Sequence, residues 1–200
     1  MRHPAPRRLA HWLGRNWARL HYARHVEPTW LEVNRLRVPV RGLPPAFDGF
    51  RVVQLSDLHC GPKVTRAYID EAIDLALHEK PDIVVLTGVD DLWSRTCDLD
   101  RAYADHEPAR PRLVLAHNPR TVERLRGRRC DLMLSGHTHG GQVDWPGLGR
   151  VTLGKKARRF AAGLYVHAGT HLYVNKGVGF GWRFRFGARP EVAVLTLRPA

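Results

Sequence analysis

With 200 residues and 44% hydrophobic content, the chain can bury one core, and one domain is expected. A formal charge of +13, from 32 Lys and Arg against 19 Asp and Glu, favours anionic partners: phosphorylated substrates, acidic lipid surfaces or nucleic acid. Cys60, Cys97 and Cys130 lack C-x-x-C spacing, which argues against a zinc knuckle or disulfide framework and for a reducing, cytoplasmic setting. No stretch reaches the ~18 apolar residues of a membrane-spanning helix, and the N-terminus lacks the apolar core of a signal peptide.

Residues 1–25 hold six Arg and no acid. On a helical wheel Leu9, Trp12, Leu13, Trp17 and Leu20 share one broad arc, with Arg8, Arg15 and Arg19 on the other side. Two readings stand side by side: a helix lying peripherally on an anionic membrane at its inner face, or a helix packed on the chain's own domain. From Trp30 to Val40 the run "WLEVNRLRVPV" alternates as a strand does, and "RGLPPAFDGF" is a connector. "RVVQLSD", Arg51 to Asp57, is a short apolar strand ending in polar residues. Helical spacing follows from Thr65 to about Glu79, and "DIVVLTG" after Pro81 is expected to be a buried strand. Strand, helix and strand make a βαβ unit, whose ligands gather at the carboxyl ends of its strands.

The polar segment from Trp93 to Pro111 has little periodicity. "RLVLAHNP", Arg112 to Pro119, is a third strand, followed by a short basic helix around Val122 to Arg128. "DLMLSGHTHGG", Asp131 to Gly141, carries a fourth strand, and "GLYVHAG", "HLYVNKG" and "EVAVLTL" are further strands between glycine turns. "GKKARRF", Gly154 to Phe160, reads as a solvated loop able to meet a phosphate or acidic headgroup. "GWRFRFGAR", Gly181 to Arg189, reads as a strand with one exposed basic face.

Strand ends carry the chemistry. Asp57 and His59 follow the first strand of the βαβ unit, His117 follows the third strand, and His137 and His139 follow the fourth. A single His after a strand is structural more often than not. Five Asp and His residues at three strand ends, which a parallel sheet brings together, point instead to a metal. Mixed carboxylate and imidazole ligation suits Mn, Fe or Zn, and one or two such ions can activate water against a phosphate ester.

"QLSDLHCG", "DIVVLTG", "LVLAHNP" and "DLMLSGHTHGGQV" resemble, in this order, the motifs of the calcineurin-like metallophosphoesterases. The likeness is to the bacterial branch of membrane-associated phosphodiesterases related to UDP-2,3-diacylglucosamine hydrolases, and with "EPTWLEV" and "PEVAVLTL" it extends over roughly residues 22–198. The resemblance implies an α/β fold, the calcineurin-like phosphoesterase fold of two facing β-sheets flanked by helices. It implies Asp57, His59 and His139 on a first metal ion, and His117 and His137 on a second ion or the phosphate. The implied activity is hydrolysis of a phosphoester or pyrophosphate, small-molecule or lipid-linked, through a metal-bound hydroxide.

This chain departs from the family pattern in two places. Val89 stands where the family has a bridging Asp after the "TG" glycine, and no G-N-H occurs, so an Asn ligand and the His that assists the leaving group are missing. "TG" is joined directly to "VDDLW", a segment that relatives carry much further along. The domain organisation expected is therefore a basic amphipathic segment, 1–25, and a metallophosphoesterase domain, 26–200, internally truncated at about 88–90. Asp90 and Asp91 are candidate substitutes for the lost bridge. Val89 shifts the first carboxylate by about 3.8 Å of chain and reverses its direction in an extended segment, so a turn or capping role is favoured for both. Impaired hydrolysis is the leading expectation. A non-catalytic remnant that binds metal or membrane is the alternative, and a basic nucleic-acid binder ranks last for want of any recognised motif, so no nucleic-acid partner is expected.

Overall fold

Residues 5–87, 99–103 and 110–200 are described in the computed structural model, and within them the strands form two four-stranded sheets. The first combines β1 (Glu32–Val40), β2 (Arg51–Ser56), β3 (Ile83–Thr87) and β8 (Glu191–Pro199) in the order β1-β8-β2-β3. The second combines β4 (Leu113–Leu115), β5 (Leu132–Ser135), β6 (Gly163–His167) and β7 (Thr170–Val174) in the order β4-β5-β7-β6. Gly88, Val89, Asp90, Asp91 and Cys97 lie outside the described residues.

The period of two along each strand builds the layers. Val52 of β2, Ala193, Leu195 and Leu197 of β8, Leu132 and Leu134 of β5 and Tyr173 of β7 meet in one core, so the sheets pack face to face. Their neighbours point the other way. Val53, Leu55, Val192 and Val194 meet α2 (Arg66–His78) through Tyr68, Ile69, Ala72 and Ala76. On the far side of the second sheet, Met133, Leu172 and Val174 pack under Val122, Leu125 and Phe160. This is the α/β architecture the family resemblance implies, two facing sheets with helical segments outside.

β2, α2 and β3 form the expected βαβ unit, with the two strands parallel from Val52–Ile83 to Ser56–Thr87. Thr65 and Glu79 are the caps of α2, and the Thr65 hydroxyl accepts from the Tyr68 amide at 3.3 Å. β8 lies between β1, to which it is parallel, and β2, to which it is antiparallel.

Four expectations change. β3 is not buried on both faces: Ile83, Val84 and Leu86 are exposed and only Val85 enters the core, because β3 is the outer strand of its sheet. The basic helix expected around Val122 to Arg128 is a 3-10 helix over Pro119–Arg124, started by Pro119 and by the Asn118 side chain accepting from the Arg120 amide. Lys155–Arg158 form one helical turn, α4, instead of a loop; α3 (Leu99–Ala102) is equally short. Residues 181–189 are irregular, with Arg185 fully buried where a basic face was expected outside.

α1 (Ala5–His25) is held to the domain by its last turn. Ala23 is buried and its carbonyl accepts from the Arg185 amide at 2.8 Å, while Tyr22 meets Trp30 and Phe186 edge-on. Leu9, Trp12, Leu13, Trp17 and Leu20 are 52–69% exposed, so the apolar stripe is not spent on the chain's own domain. No described helix is long and apolar enough to cross a membrane.

Candidate metal centre

The carboxyl ends of β2, β4, β5 and β7 point to one place, and each contributes a loop. Asp57 follows β2, His117 follows β4, His137 and His139 follow β5, and Gly177 lies just beyond β7. Four of the five residues singled out from sequence have left-handed backbones: Asp57 (φ 52°), His59 (φ 50°), His137 (φ 70°) and His139 (φ 51°). Each such non-glycine residue is strained, and clusters of them mark functional sites. The surrounding chain holds them there by close approach. A β-carbon on Gly136 would lie 1.9 Å from the Ser56 hydroxyl and 2.3 Å from Asp57 Oδ2, and one on Gly177 would lie 2.9 Å from Asp57 Cβ.

Asp57 is the hub. Its buried carboxylate accepts from the His137 amide at 3.0 Å and from the Ser56 hydroxyl through Oδ2. The other oxygen, Oδ1, faces three imidazoles: His139 Nε2 at 3.5 Å, His117 Nε2 at 3.6 Å and His59 Nε2 at 4.0 Å. His59 and His139 stack, with their Nε2 atoms 3.1 Å apart. His117 and His137 meet edge to face, ring centroids 5.1 Å apart.

These separations fit a shared ion. Ligand atoms about 2.0–2.2 Å from a divalent metal lie roughly 3.0–3.5 Å from one another in tetrahedral or octahedral geometry. One ligand atom from each of Asp57, His59 and His139 falls within 4.8 Å of the others. Burial is the main cause holding the His139 imidazole down to about pKa 4, against the raising effect of Asp57. That keeps the ring neutral at physiological pH, as metal ligation requires. His117 joins the same carboxylate from another side, and His137 contributes its amide to Asp57 and its ring to His117. Asp144, without ligand spacing in the sequence, lies in an ion pair with Arg150 at 3.4 Å.

Arg185 was not foreseen. Its guanidinium donates to the carbonyls of Gly179 (2.6 Å), Ala188 (2.7 Å), Lys176 (3.0 Å) and Gly177 (3.2 Å), and lies 3.3 Å from His139 Nδ1. Burial lowers its pKa to about 10, so it stays charged at neutral pH. It ties the 176–179 loop beneath His139 and turns that ring's Nε2 toward Asp57. The signal for it was an Arg between Phe184 and Phe186, which strand alternation also explains.

Curated proteins similar to the chain are named phosphodiesterases and metallophosphoesterases. The chain is 43% identical over 112 residues to the phosphodiesterase YaeI of Escherichia coli, covering 56% of this chain and 40% of the relative. It is 32% identical over 123 residues to the UDP-2,3-diacylglucosamine pyrophosphatase LpxG of Chlamydia trachomatis, covering 57% of this chain and 37% of LpxG. With the uncharacterized metallophosphoesterase YkuE of Bacillus subtilis it shares 25% identity, covering 88% of this chain and 89% of the relative. No family model and no solved structure matches. The chain is a relative of the calcineurin-like metallophosphoesterases, as its motifs and its facing sheets imply. Within that class it is similar to the phosphodiesterase and diacylglucosamine pyrophosphatase branch, while spanning well under half the length of YaeI and LpxG.

Proposed function

We propose that the chain is a metal-dependent phosphoester or pyrophosphate hydrolase working at reduced rate, with Asp57, His59 and His139 holding one divalent ion, Mn, Fe or Zn. The observation that carries this is the convergence of two imidazole Nε2 atoms and one carboxylate oxygen within 4.8 Å, on loops held in strained backbone. A bound ion supplies Lewis acidity toward a phosphoryl oxygen and acidifies water. The protein's own part is orientation. Asp57 is fixed through Oδ2, His139 is held from beneath by Arg185, and His59, about half exposed, stands at the mouth. His117 and His137 are placed to bind a second ion or the phosphate.

Reduced rate follows from the missing bridging Asp and G-N-H, since a single ion lacks the clamp on both attacking and leaving oxygens. An internal deletion at about 88–90 accounts for both losses. It is supported by the alignment with YkuE, which runs over 254 positions against 200 residues here, so that relative has stretches with no counterpart in this chain. It is further supported by β3 and β4, the strands flanking the join. Each is the outer strand of its sheet, with Ile83, Val84, Leu86, Leu113 and Leu115 exposed. The test is Mn²⁺-dependent hydrolysis of bis(p-nitrophenyl) phosphate beside an Asp57→Ala/His137→Ala variant. Turnover that vanishes in the variant is expected; equal rates in the two proteins, or none in either while both are folded, would refute the enzyme reading.

A lipid-linked substrate reached from a membrane surface is part of the same proposal. It is supported by the exposed stripe of α1 with Trp12 and Trp17, by six Arg and no acid in residues 1–25, and by the similarity to LpxG. Sedimentation with phosphatidylglycerol vesicles is expected to capture the protein, and Trp12→Ser/Trp17→Ser to weaken capture about tenfold or more. Equal partition onto phosphatidylcholine, or an unaffected variant, would remove the membrane from the account.

A further inference from the structure

Beside the metal centre lies a cleft of about 410 Å³, in the range of small-molecule sites, and His137 forms part of both. Its lining is mostly apolar, with the Pro119 ring and Ala157 among the residues around it, and it carries three cations, Arg120, Lys155 and Lys156, without a carboxylate. A second cleft, of about 400 Å³, instead sets Glu27, Glu32 and Asp144 beside Lys176 and Arg189. Lys155 and Lys156 are exposed, with neither a hydrogen bond nor an ion pair among the described residues. The nearby Glu123 is already shared, at 3.4 Å from Arg120 and 2.8 Å from Arg159, so it leaves the cations in excess. Carbon walls with cations beside them suit a ligand that is aliphatic along its length and anionic at its end.

We propose that this cleft receives the organic arm of the substrate, an aliphatic segment ending in a second anionic group held by Lys155 and Lys156. The scissile phosphate then sits on the other side of His137. This inference rests on the metal-centre reading and gives that site its substrate class: phosphoesters whose organic arm carries a further negative charge.

The test is calorimetric binding of two non-hydrolysable probes to the Mn²⁺-loaded protein, hexane-1,6-diphosphonate and hexylphosphonate. The diphosphonate is expected to bind about tenfold more tightly, the size of effect two charge-assisted contacts supply. The gap is expected to close in Lys155→Gln/Lys156→Gln, exposed positions whose replacement leaves the core untouched, and to persist in the charge-matched control Arg37→Ala/Arg66→Ala. Equal affinities in the parent protein, with hexylphosphonate binding lost on Asp57→Asn, overturn the cleft assignment and leave the metal centre standing. A gap that survives the lysine variant also overturns it. No hexylphosphonate binding at all overturns the metal-centre reading and this inference with it.

Discussion

Asp57→Asn is expected to lower divalent-metal affinity by more than about 100-fold, beyond the 10–100-fold typical of residues that only orient ligands, and to remove metal-dependent turnover with it. The change is isosteric, so its effect is electrostatic and directional. Among the described residues, Oδ1 is the one anionic atom facing the Nε2 atoms of His59, His117 and His139, at 3.5–4.0 Å. Oδ2 accepts from the Ser56 hydroxyl and the His137 amide, so an Asn whose oxygen keeps those partners turns its NH₂ toward the three rings. Mn²⁺ titration followed by calorimetry reads the loss, and a thermal melt alongside it verifies that the variant is folded. Unchanged Mn²⁺ affinity in a folded variant would place the metal elsewhere.

Arg185→Met is expected to cost about 3 kcal/mol or more of stability, because the carbonyls of Lys176, Gly179 and Ala188 lose the Arg185 donor at once, while that of Gly177 keeps the Glu191 amide. At about 2–4 °C per kcal/mol for a domain of this size, the melting temperature falls by roughly 10 °C. Methionine fills similar volume, so lost packing does not account for the drop. Metal affinity is expected to fall about tenfold as well, since His139 loses the group beneath its ring. Arg185→Lys should not rescue either property, because one ammonium cannot match a planar fork reaching Gly179 and Ala188 from different nitrogens. A methionine variant melting within a degree or two of the parent would show that these carbonyls find other partners.

Much of the site was legible because its signal is local. Strand, polar end and His or Asp recur in "RVVQLSDLH", "LVLAHNP" and "DLMLSGHTH"; parallel pairing joins the last two, and the face-to-face packing of the sheets, not one parallel sheet as expected, brings Asp57 and His59 to them. What the sequence concealed is non-local. The insertion of β8 between β1 and β2 depends on pairing across more than 130 residues, which no periodicity encodes. The apolar run of β3 reads the same whether a strand has two neighbours or one, so its exposed Ile83 and Leu86 were missed. Arg185 was misread for a related reason. Its alternation with aromatics matches a surface strand, and only the carbonyls of the 176–179 loop, with that of Ala188, explain why the charge lies inside. The stripe of α1 was legible as a pattern, and its orientation came from the fold.

The position of β8 also bears on how the molecule is made. Glu32 pairs with Glu191 and Val40 with Pro199, so among the described residues β1 has no sheet neighbour until residues 191–199 have left the ribosome. At roughly 5–20 residues per second, β1 and β2 wait on the order of ten seconds or more with open edges. During that interval the strand leading to Asp57 is unsupported on its β8 side. A ribosome stalled short of residue 191 therefore releases a chain that carries every ligand named above and lacks the strand that closes its sheet.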